Sequence, residues 1–275
     1  MMASEDRSER DRLDVVLVER GLAPTRAQAR ALVLAGRVLS QGARLDKPGQ
    51  RIPRGAALEI REGRRYVSRG GHKLEAALRD LTVDVTGLDA LDVGASTGGF
   101  TQVLLESGAR RVVALDVGRG QLDWSLRRDP RVHVLEGVNA RYIEPAALPF
   151  LPSLAAVDVS FISLNLVLPG VVSCLTEKGE IVALVKPQFE VGRRSVGRGG
   201  IVRDVRLHRE VLRSFGRLAT ERGWGIRDLA PAAVRGAEGN QEYFIHLAPS
   251  FQGLDSGRLA RRILEVTGEA AEERA

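Results

Sequence analysis

The chain has 275 residues, 44% of them hydrophobic, which is enough for one large domain and a small one. Its single cysteine, Cys174, excludes a disulfide framework and a cysteine zinc site, and it fits the reducing cytoplasm. No apolar run approaches the roughly 18 residues of a membrane span, and the polar start is unlike a signal peptide, so we expect a cytoplasmic protein without a membrane partner.

The positive charge is unevenly distributed along the chain, whose net charge is +6. Residues 1–70 contain 15 lysines and arginines against 9 aspartates and glutamates, whereas residues 71–275 contain 26 of each. The whole excess therefore lies in the N-terminal part. This segregation indicates a polyanionic partner there rather than charge that only keeps the protein soluble.

The N-terminal part reads as a tail followed by short helices and strands. Residues 1–10 are polar and predict a disordered tail. Apolar spacing predicts one helix over 12–20 and a second over 26–35. Short alternating segments at 37–40 and 51–60 predict strands.

The order RLD, a TRAQAR helix and GRV resembles the S4 RNA-binding domain of ribosomal proteins and RNA-modifying enzymes. The resemblance covers about residues 11–61 and implies a small α+β domain, placed at 11–63, with an interdomain linker at 64–68. It also implies that four arginines meet RNA phosphates, namely Arg12, Arg26, Arg30 and Arg37. The alternative is a helix face that is merely solvated.

Residues 69–250 read as an α/β domain organised around 88–101, LDALDVGASTGGFT. This stretch predicts a buried strand, a glycine-rich turn that lets the backbone approach a ligand, and a helix capped by Ser96 or Thr97. Its spacing fits neither a dinucleotide fingerprint nor a phosphate loop. Asp92 at the strand's tip suits a cationic or polar ligand such as S-adenosylmethionine. The residues assigned to this cofactor site are Asp92, Gly94, Ser96, Thr97, Gly98, Gly99 and Phe100.

Two further strands supply candidate cofactor ligands. A second strand, 112–117, carries Asp116, which lies 24 residues after Asp92, near where an acid meets ribose hydroxyls in nucleotide-binding α/β units. A third strand, 132–135, leads to Asn139, which we expect at the adenine edge.

A fourth strand, 154–159, carries Asp158. Ligands in such sheets lie at the carboxyl ends of the strands where the strand order reverses, here between the first and fourth strands. We therefore expect Asp92 and Asp158 to face one crevice, with Asp158 also in contact with the cofactor.

The rest of the domain adds a fifth strand at 181–185, a glycine- and arginine-rich segment at 188–204, and a last strand at 243–247. The glycine-rich segment predicts a mobile lid that closes on the substrate backbone, with a plain loop as the alternative. Residues 251–275 predict a C-terminal helix with a frayed tail.

Lysine is rare enough to be informative, since only four of the 41 basic residues are lysines. Arginine cannot lose its proton in a protein, whereas lysine can. Lys47 and Lys178 lie in turns and need no special account. Lys186 ends the fifth strand, next to the tip that carries Asp158, and Lys73 begins a helix that reaches the same crevice. Chance placement is the alternative.

Taken together, the motifs LDVGASTGGFT, LDVG, NAR, VDVSFISL, VKPQFEVG and GNQEYF behind an S4 domain resemble the TlyA family, also labelled haemolysin A. The resemblance covers about residues 11–247. It implies a Rossmann-like, FtsJ-like domain that uses S-adenosylmethionine to methylate the 2′-hydroxyl of cytidine in 23S and, in some members, 16S ribosomal RNA. It also implies that Asp116 contacts the cofactor ribose. No metal is implied, and ribosomal RNA or ribosomal subunits are the partners.

In that fold a Lys-Asp-Lys-Glu tetrad performs the chemistry, and the matching positions are Lys73, Asp158, Lys186 and Glu242. A sulfonium methyl group is already electrophilic, so the enzyme must align a ribose hydroxyl and help it to lose a proton. Lys186 is the candidate base. Lys73 would favour its deprotonated form by like-charge repulsion, Asp158 would orient it, and Glu242 would fix Lys73 or the hydroxyl.

Three other functions compete with this interpretation. The first is an RNA-binding ribosome-assembly factor with a vestigial pocket, and the second is a membrane-active haemolysin. The third is a base methyltransferase, although such enzymes often carry an Asn/Asp-Pro-Pro-Tyr/Phe motif after the fourth strand and DVSF lacks the prolines. The sequence leaves the oligomeric state open.

Overall fold

A computed structural model describes residues 10–61, 65–192, 195–236 and 238–268 of the chain. It divides into two compact units, residues 1–65 and 66–275. Apart from Arg10, the predicted N-terminal tail lies outside the described residues, as does the end of the predicted C-terminal tail from residue 269.

The first unit packs two helices, α1 (Leu13–Glu19) and α2 (Arg26–Leu34), against short strands. Its core contains Leu13, Leu17 and Val33, all fully buried, and each such side chain contributes roughly 1.5–3 kcal/mol. The Thr25 side chain caps α2 by accepting a hydrogen bond from the Gln28 amide at 3.2 Å. The strands are β1 (Arg10–Arg12), β2 (Val38–Ser40), β3 (Ala43–Arg44), β4 (Arg51–Pro53) and β5 (Glu59–Ile60).

The prediction of a single strand over residues 51–60 is wrong. Its two ends belong to different sheets, because β4 pairs with β1 and β5 pairs with β2. A turn separates them, in which the Ala56 amide donates to the Pro53 carbonyl at 2.9 Å. Proline and the following Gly55 favour such a turn over extended pairing.

The second unit is built on a seven-stranded, mostly parallel sheet, and the predicted Rossmann-like α/β fold is confirmed. The strand order is β11-β12-β10-β9-β6-β7-β8. Within this described sheet β12 runs opposite to the other six strands, so it pairs antiparallel with both β10 and β11. The strands are β6 (Asp89–Val93), β7 (Arg111–Asp116), β8 (Val132–Glu136), β9 (Leu154–Val157), β10 (Glu180–Val185), β11 (Gly225–Pro231) and β12 (Tyr243–Ala248). The order reverses between β6 and β9, where the sequence placed the crevice.

Helices cover both faces of this sheet: α3 (Arg69–Asp80), α4 (Gly99–Glu106), α5 (Trp124–Arg127), α6 (Leu164–Ser173), α7 (Pro187–Glu190), α8 (Val205–Arg222) and α9 (Ser256–Val266). Side chains alternate along β6, so Leu91 and Val93 pack toward α6 and α8, whereas Ala90 packs toward α3 and α4. Burial on both faces explains why β6 is wholly apolar except for its aspartates.

Several features of the second unit were not predicted. The edge strand β11 and the long helix α8 have no counterpart in the sequence interpretation. Tyr66, Val67 and Ser68, which the sequence assigned to the linker, lie in the second unit. Tyr66 is 2% exposed, and the Ser68 side chain caps α3 by accepting from the Gly70 amide. Within the described ranges, no helix combines the length and apolar character that crossing a bilayer requires.

Candidate functional site

The site is built around the turn that follows β6. Gly94 has φ +87°, a region that side chains rarely adopt. A Cβ atom at this position would collide with the carbonyl oxygen of Asp158, the residue that follows β9. The Asp158 amide in turn donates to the Val93 carbonyl at 2.8 Å. The ends of β6 and β9 are thus in backbone contact, which only glycine permits.

The prediction that a side chain of Ser96 or Thr97 caps α4 is wrong. Gly98, with φ +97°, occupies the N-cap position, and neither Ser96 nor Thr97 bonds the helix start. Instead the Ser96 amide donates to Asp116 Oδ2 at 2.7 Å, and this bond orders the turn from the neighbouring strand.

Asp92 does not face the crevice, contrary to the prediction. It lies two residues after Ala90 along β6 and so shares its face, which points its side chain to the α4 side, where Thr101 Oγ1 donates to it at 2.6 Å. The carboxyl is fully buried, and its Oδ1 has no hydrogen-bond partner among the described residues. Burial raises the pKa of Asp92 to about 7; the charge of Asp158 adds to this and the Thr101 hydrogen bond opposes it.

This buried carboxyl predicts a pH-dependent stability. The pKa of Asp92 lies above its unfolded value of 3.8, so its contribution to stability is complete below about pH 4 and is lost as the pH rises through about 7. An Asp92→Asn variant cannot ionise. We therefore expect its melting temperature, relative to the parent, to rise between pH 4 and pH 7, with about 1.4 kcal/mol of relative stability gained per pH unit.

Thermal unfolding at a series of pH values measures this difference. Asp80→Asn, which changes an exposed carboxyl at the end of α3, is the matched control and should show no comparable trend. A relative melting temperature of Asp92→Asn that falls as the pH rises would contradict the burial argument.

Two adjoining cavities open at the carboxyl ends of the parallel strands. The first, of about 380 Å³, is called the Asp116 cavity and is lined by the ends of β7 and β9 and the segment after β8. The second, of about 460 Å³, is called the Lys186 cavity. They share a wall formed by Gly94, Ser96, Asp158, Ser160 and Phe161. Of the predicted cofactor residues in the glycine turn, Thr97, Gly99 and Phe100 line the Lys186 cavity, whereas Gly98 lines neither.

Asp116 and Asn139 lie together in the Asp116 cavity. The Asp116 carboxylate accepts from the Gly118 amide through Oδ1 and from the Ser96 amide through Oδ2, both at 2.7 Å. A carboxylate oxygen has two lone pairs, so each oxygen can accept a further bond from a ligand hydroxyl. Asn139 Oδ1 accepts from the Arg141 amide at 3.0 Å, which turns its Nδ2 donor to other partners.

The four residues of the predicted tetrad all line the Lys186 cavity, where the structure arranges them as two ion pairs. Lys186 Nζ lies 2.5 Å from Asp158 Oδ1 and also donates to Ser160 Oγ at 2.8 Å. Lys73 Nζ lies 2.5 Å from Glu242 Oε2, across 169 positions of sequence. Both lysines are 8% exposed, so solvent screens their charges only weakly.

The sheet and one helix bring these four side chains together. Asp158 and Lys186 follow the neighbouring parallel strands β9 and β10, and Pro187 ends β10 just after the lysine. Glu242 precedes β12, which pairs with β10 in the opposite direction and therefore starts at the same edge. Lys73 lies in α3, on its buried side.

Among the residues of the same cavity that sequence reasoning missed are Ser160, Phe161, Gln188 and Phe189. Gln188 Nε2 lies 3.4 Å from Glu242 Oε1. Phe161 has φ +64° and is 92% exposed, and its ring centre lies 5.0 Å from that of Phe189. Their position beside Asp158 and Lys186 in the DVSF and KPQF motifs was the signal that could have identified them.

Two polar residues, the half-buried Glu190 and the buried Asn240, hold the loops around the cavity. Glu190 accepts from the Ser163 hydroxyl at 2.6 Å and the Leu164 amide at 2.9 Å, and burial raises its pKa. Asn240, 1% exposed, accepts from the Val202 amide at 2.9 Å and donates to the Gly200 carbonyl at 2.8 Å. Of the predicted lid, 188–204, residues 193 and 194 lie outside the described residues; Asn240 fixes the part near residue 200.

In the first unit, the four predicted RNA-binding arginines differ in their contacts. Arg12 and Arg26 both donate to Asp14, which is fully buried, at 3.0 and 3.1 Å. These hydrogen bonds lower the pKa of Asp14 to about 2, and the bond from Arg12 has the larger effect. Arg37 donates to the Arg61 carbonyl. Arg30 is exposed and makes no ion pair within the described part of the chain.

The described residues contain no group of three or more histidine, cysteine, aspartate or glutamate side chains that is arranged to hold a metal ion.

Comparison with known families gives two matches. The model of the FtsJ-like methyltransferase family matches residues 66–248, and that of the S4 domain matches residues 11–58.

Individual relatives match along most of the chain. The "16S/23S rRNA (cytidine-2'-O)-methyltransferase TlyA" of Mycobacterium tuberculosis is 48% identical over 240 residues, which are 86% of this chain and 90% of that protein. "Hemolysin A" of Brachyspira hyodysenteriae is 37% identical over 86% of this chain and 98% of its own length. A solved structure from Streptococcus thermophilus that carries the label hemolysin is 43% identical, with a TM-score of 0.71 over 95% of this chain and 97% of its own.

Proposed function

This chain belongs to the TlyA family of FtsJ-like methyltransferases with an N-terminal S4 domain, and from that premise we propose that it transfers a methyl group from S-adenosylmethionine to a ribose 2′-hydroxyl of ribosomal RNA. The observation that carries the proposal is the pair of buried lysine–carboxylate contacts in a cavity that shares a wall with the Asp116 cavity. The relative from Mycobacterium tuberculosis supports cytidines of 16S and 23S RNA as the targets.

The residues present fit the cofactor. Gly94 lies in the wall between the cavities, where the absence of a Cβ atom lets the Asp158 backbone pack against the turn and places Asp158 in that wall. Asp116 would accept from the ribose hydroxyls, and Asn139 would contact the adenine edge. When bound, the cofactor supplies an electrophilic methyl group on a positively charged sulfur. The carboxylate of Asp158, in the shared wall, offsets positive charge at this position.

Lys186 is the group that would take the proton from the 2′-hydroxyl. Its Nζ is held by Asp158 Oδ1 and Ser160 Oγ, and these two contacts fix the direction of the nitrogen lone pair that would accept the proton. Lys73 is held by Glu242 and places a second amino group in the same cavity, where it can donate to a substrate oxygen. The two carboxylates thus orient the two lysines, and the lysines align and deprotonate the hydroxyl.

Tritiated methyl transfer to isolated 30S and 50S ribosomal subunits, followed by nucleoside analysis, tests the proposal. We expect 2′-O-methylcytidine as the product. A base-methylated product would contradict the ribose assignment. Measurable cofactor binding without methyl transfer to either subunit would favour an assembly factor, and leakage from liposomes exposed to the purified protein would favour membrane activity.

We expect the first unit to contribute to RNA affinity, and we expect this contribution to be measurable without a change in folding. Arg30→Glu should weaken binding to ribosomal RNA and reduce by about 1 the slope of log affinity against log salt, because one phosphate contact is lost. Cofactor affinity should not change. Arg26 is unsuitable for this test because its substitution also leaves the buried Asp14 with one partner fewer.

Filter binding at several salt concentrations measures this effect. Arg222→Gln, an exposed arginine at the end of α8, is the control. An unchanged salt slope in Arg30→Glu would remove this residue from the RNA interface.

A further inference from the structure

Two large aromatic side chains are exposed on segments that adjoin the cavities, and nothing in the mechanism uses them. Trp124 is 68% exposed and Tyr142 is 69% exposed. Each ring has an arginine over it: the guanidinium carbon of Arg128 lies 5.7 Å from the Trp124 ring centre, and that of Arg141 lies 5.3 Å from the Tyr142 ring centre.

Both rings lie at the edge of the sheet that carries the site. Trp124 begins α5, and the amide of the preceding Asp123 donates to the carbonyl of Thr97 in the glycine turn that lines the Lys186 cavity. Tyr142 ends a 3₁₀ turn, Ala140–Tyr142, which starts directly after Asn139 in the lining of the Asp116 cavity. The backbone segments that carry the two rings are therefore joined to the linings of the two adjoining cavities.

The chemistry of these pairs favours one kind of partner. An aromatic ring offers a stacking surface that every nucleobase can use, and a neighbouring guanidinium can bind the phosphate of the same nucleotide. An apolar protein surface would leave the two guanidinium groups without a counter-charge, whereas RNA supplies both a base and a phosphate. Charge complementarity thus points to a polyanion that exposes unpaired bases.

We propose that Trp124 and Tyr142 are stacking surfaces for unpaired bases of the RNA that flank the reactive ribose, with Arg128 and Arg141 on their phosphates. The inference rests on the proposed function, since it assigns the RNA a path across the rim of the catalytic cavities. It predicts that the bases beside the target nucleotide are unpaired when the RNA is bound, because bases stacked within a duplex do not stack on protein rings.

The chain contains a matched control. Phe251 is 45% exposed and has the Arg227 guanidinium 4.4 Å from its ring centre, so it is the same kind of pair. It follows β12, whose Leu247 is paired with Ile181 at the start of β10, and therefore lies at the opposite edge of the sheet from the cavities. RNA bound at the cavity mouth should not contact it.

The kinetic test uses the full chain with isolated ribosomal subunits. Trp124→Ala and Tyr142→Ala should each raise KM for the subunits by about 5- to 150-fold, the range for loss of one base–aromatic stack, with a smaller effect on kcat. The affinity for S-adenosylhomocysteine, measured by calorimetry, should stay at the parent value. Trp124→Phe and Tyr142→Phe keep a ring and should restore most of the loss, and Phe251→Ala should match the parent.

A fluorescence test separates this inference from the proposed function. Trp124 is one of two tryptophans in the chain, so stacking should quench its emission when single-stranded oligoribonucleotides are added, and Trp124→Phe should remove that quenching. Quenching without any methyl transfer would sustain the stacking surface and defeat the proposed function. Normal methyl transfer with parental KM in both alanine variants, or an equal loss in Phe251→Ala, would overturn the inference.

Discussion

Replacing Lys186 by alanine should reduce methyl transfer by about 10²- to 10⁴-fold, the usual contribution of a positioned general base, while cofactor binding persists. The physical reason is that Lys186 Nζ is the group held between Asp158 Oδ1 and Ser160 Oγ inside the cavity. Single-turnover transfer of a tritiated methyl group to ribosomal subunits measures the loss, and calorimetry with S-adenosylhomocysteine measures binding.

Lys186→Arg makes this experiment decisive. Arginine keeps the positive charge and can still pair with Asp158, but it cannot give up its proton at neutral pH. If Lys186 acts as the base, the arginine variant should be nearly as inactive as the alanine variant. Substantial activity in Lys186→Arg would instead assign the residue an electrostatic role. Lys178→Ala, an exposed lysine in a turn of the same unit, should leave the rate unchanged.

The second large effect is expected at Gly94. An alanine there would meet two costs, the left-handed φ of +87° and the collision of its Cβ with the Asp158 carbonyl oxygen. The conformational cost alone is about 1–2 kcal/mol. The collision adds to it, because the opposing atom belongs to the backbone and cannot move aside without separating the ends of β6 and β9. We expect cofactor affinity to fall at least about tenfold, equivalent to 1.4 kcal/mol, and the melting temperature to fall as well.

Gly87→Ala isolates the collision from the strain. Gly87 precedes β6 with φ +72°, but a Cβ atom there would meet nothing within 4 Å. It should therefore lose only the conformational part of the stability and keep cofactor affinity. Thermal unfolding and calorimetry on both variants compare them directly, and equal losses would show that the close approach at Gly94 does not constrain the site.

The sequence was most informative where a local pattern has one physical interpretation. Apolar runs ended by Asp116, Asp158 or Lys186 identified strands and their carboxyl ends, and the parallel arrangement then placed those ends at one edge. The S4 and TlyA resemblances are confirmed by the family matches. The tetrad came from the motifs of that family, and its roles remain a prediction that the Lys186 variants test.

The sequence was least informative where a side chain could take either of two directions. Both neighbours of Asp92 are buried, because helices cover both faces of the sheet, so no alternation of polarity marked which way its carboxyl points. In the turn that follows, Ser96 and Thr97 have the chemistry of helix caps, but the left-handed Gly98 takes that position. At Gly98 the chain packs closely against Leu122 and Leu126, a tertiary contact that no local preference indicates.

By itself the sequence determined that this chain has an S4 domain followed by a mostly parallel α/β methyltransferase domain, and which polar residues end its strands. The strand pattern and the strand ends follow from periodicity, glycine and proline, which act over a few residues, and the S4 and methyltransferase assignments follow from the family motifs. Only the tertiary structure decided that Lys73 pairs with Glu242, that Asp92 is buried away from the cavities, and that Trp124 and Tyr142 lie on segments that adjoin them. Such contacts join residues from distant parts of the chain, and they depend on strand order and helix packing, which no local pattern encodes.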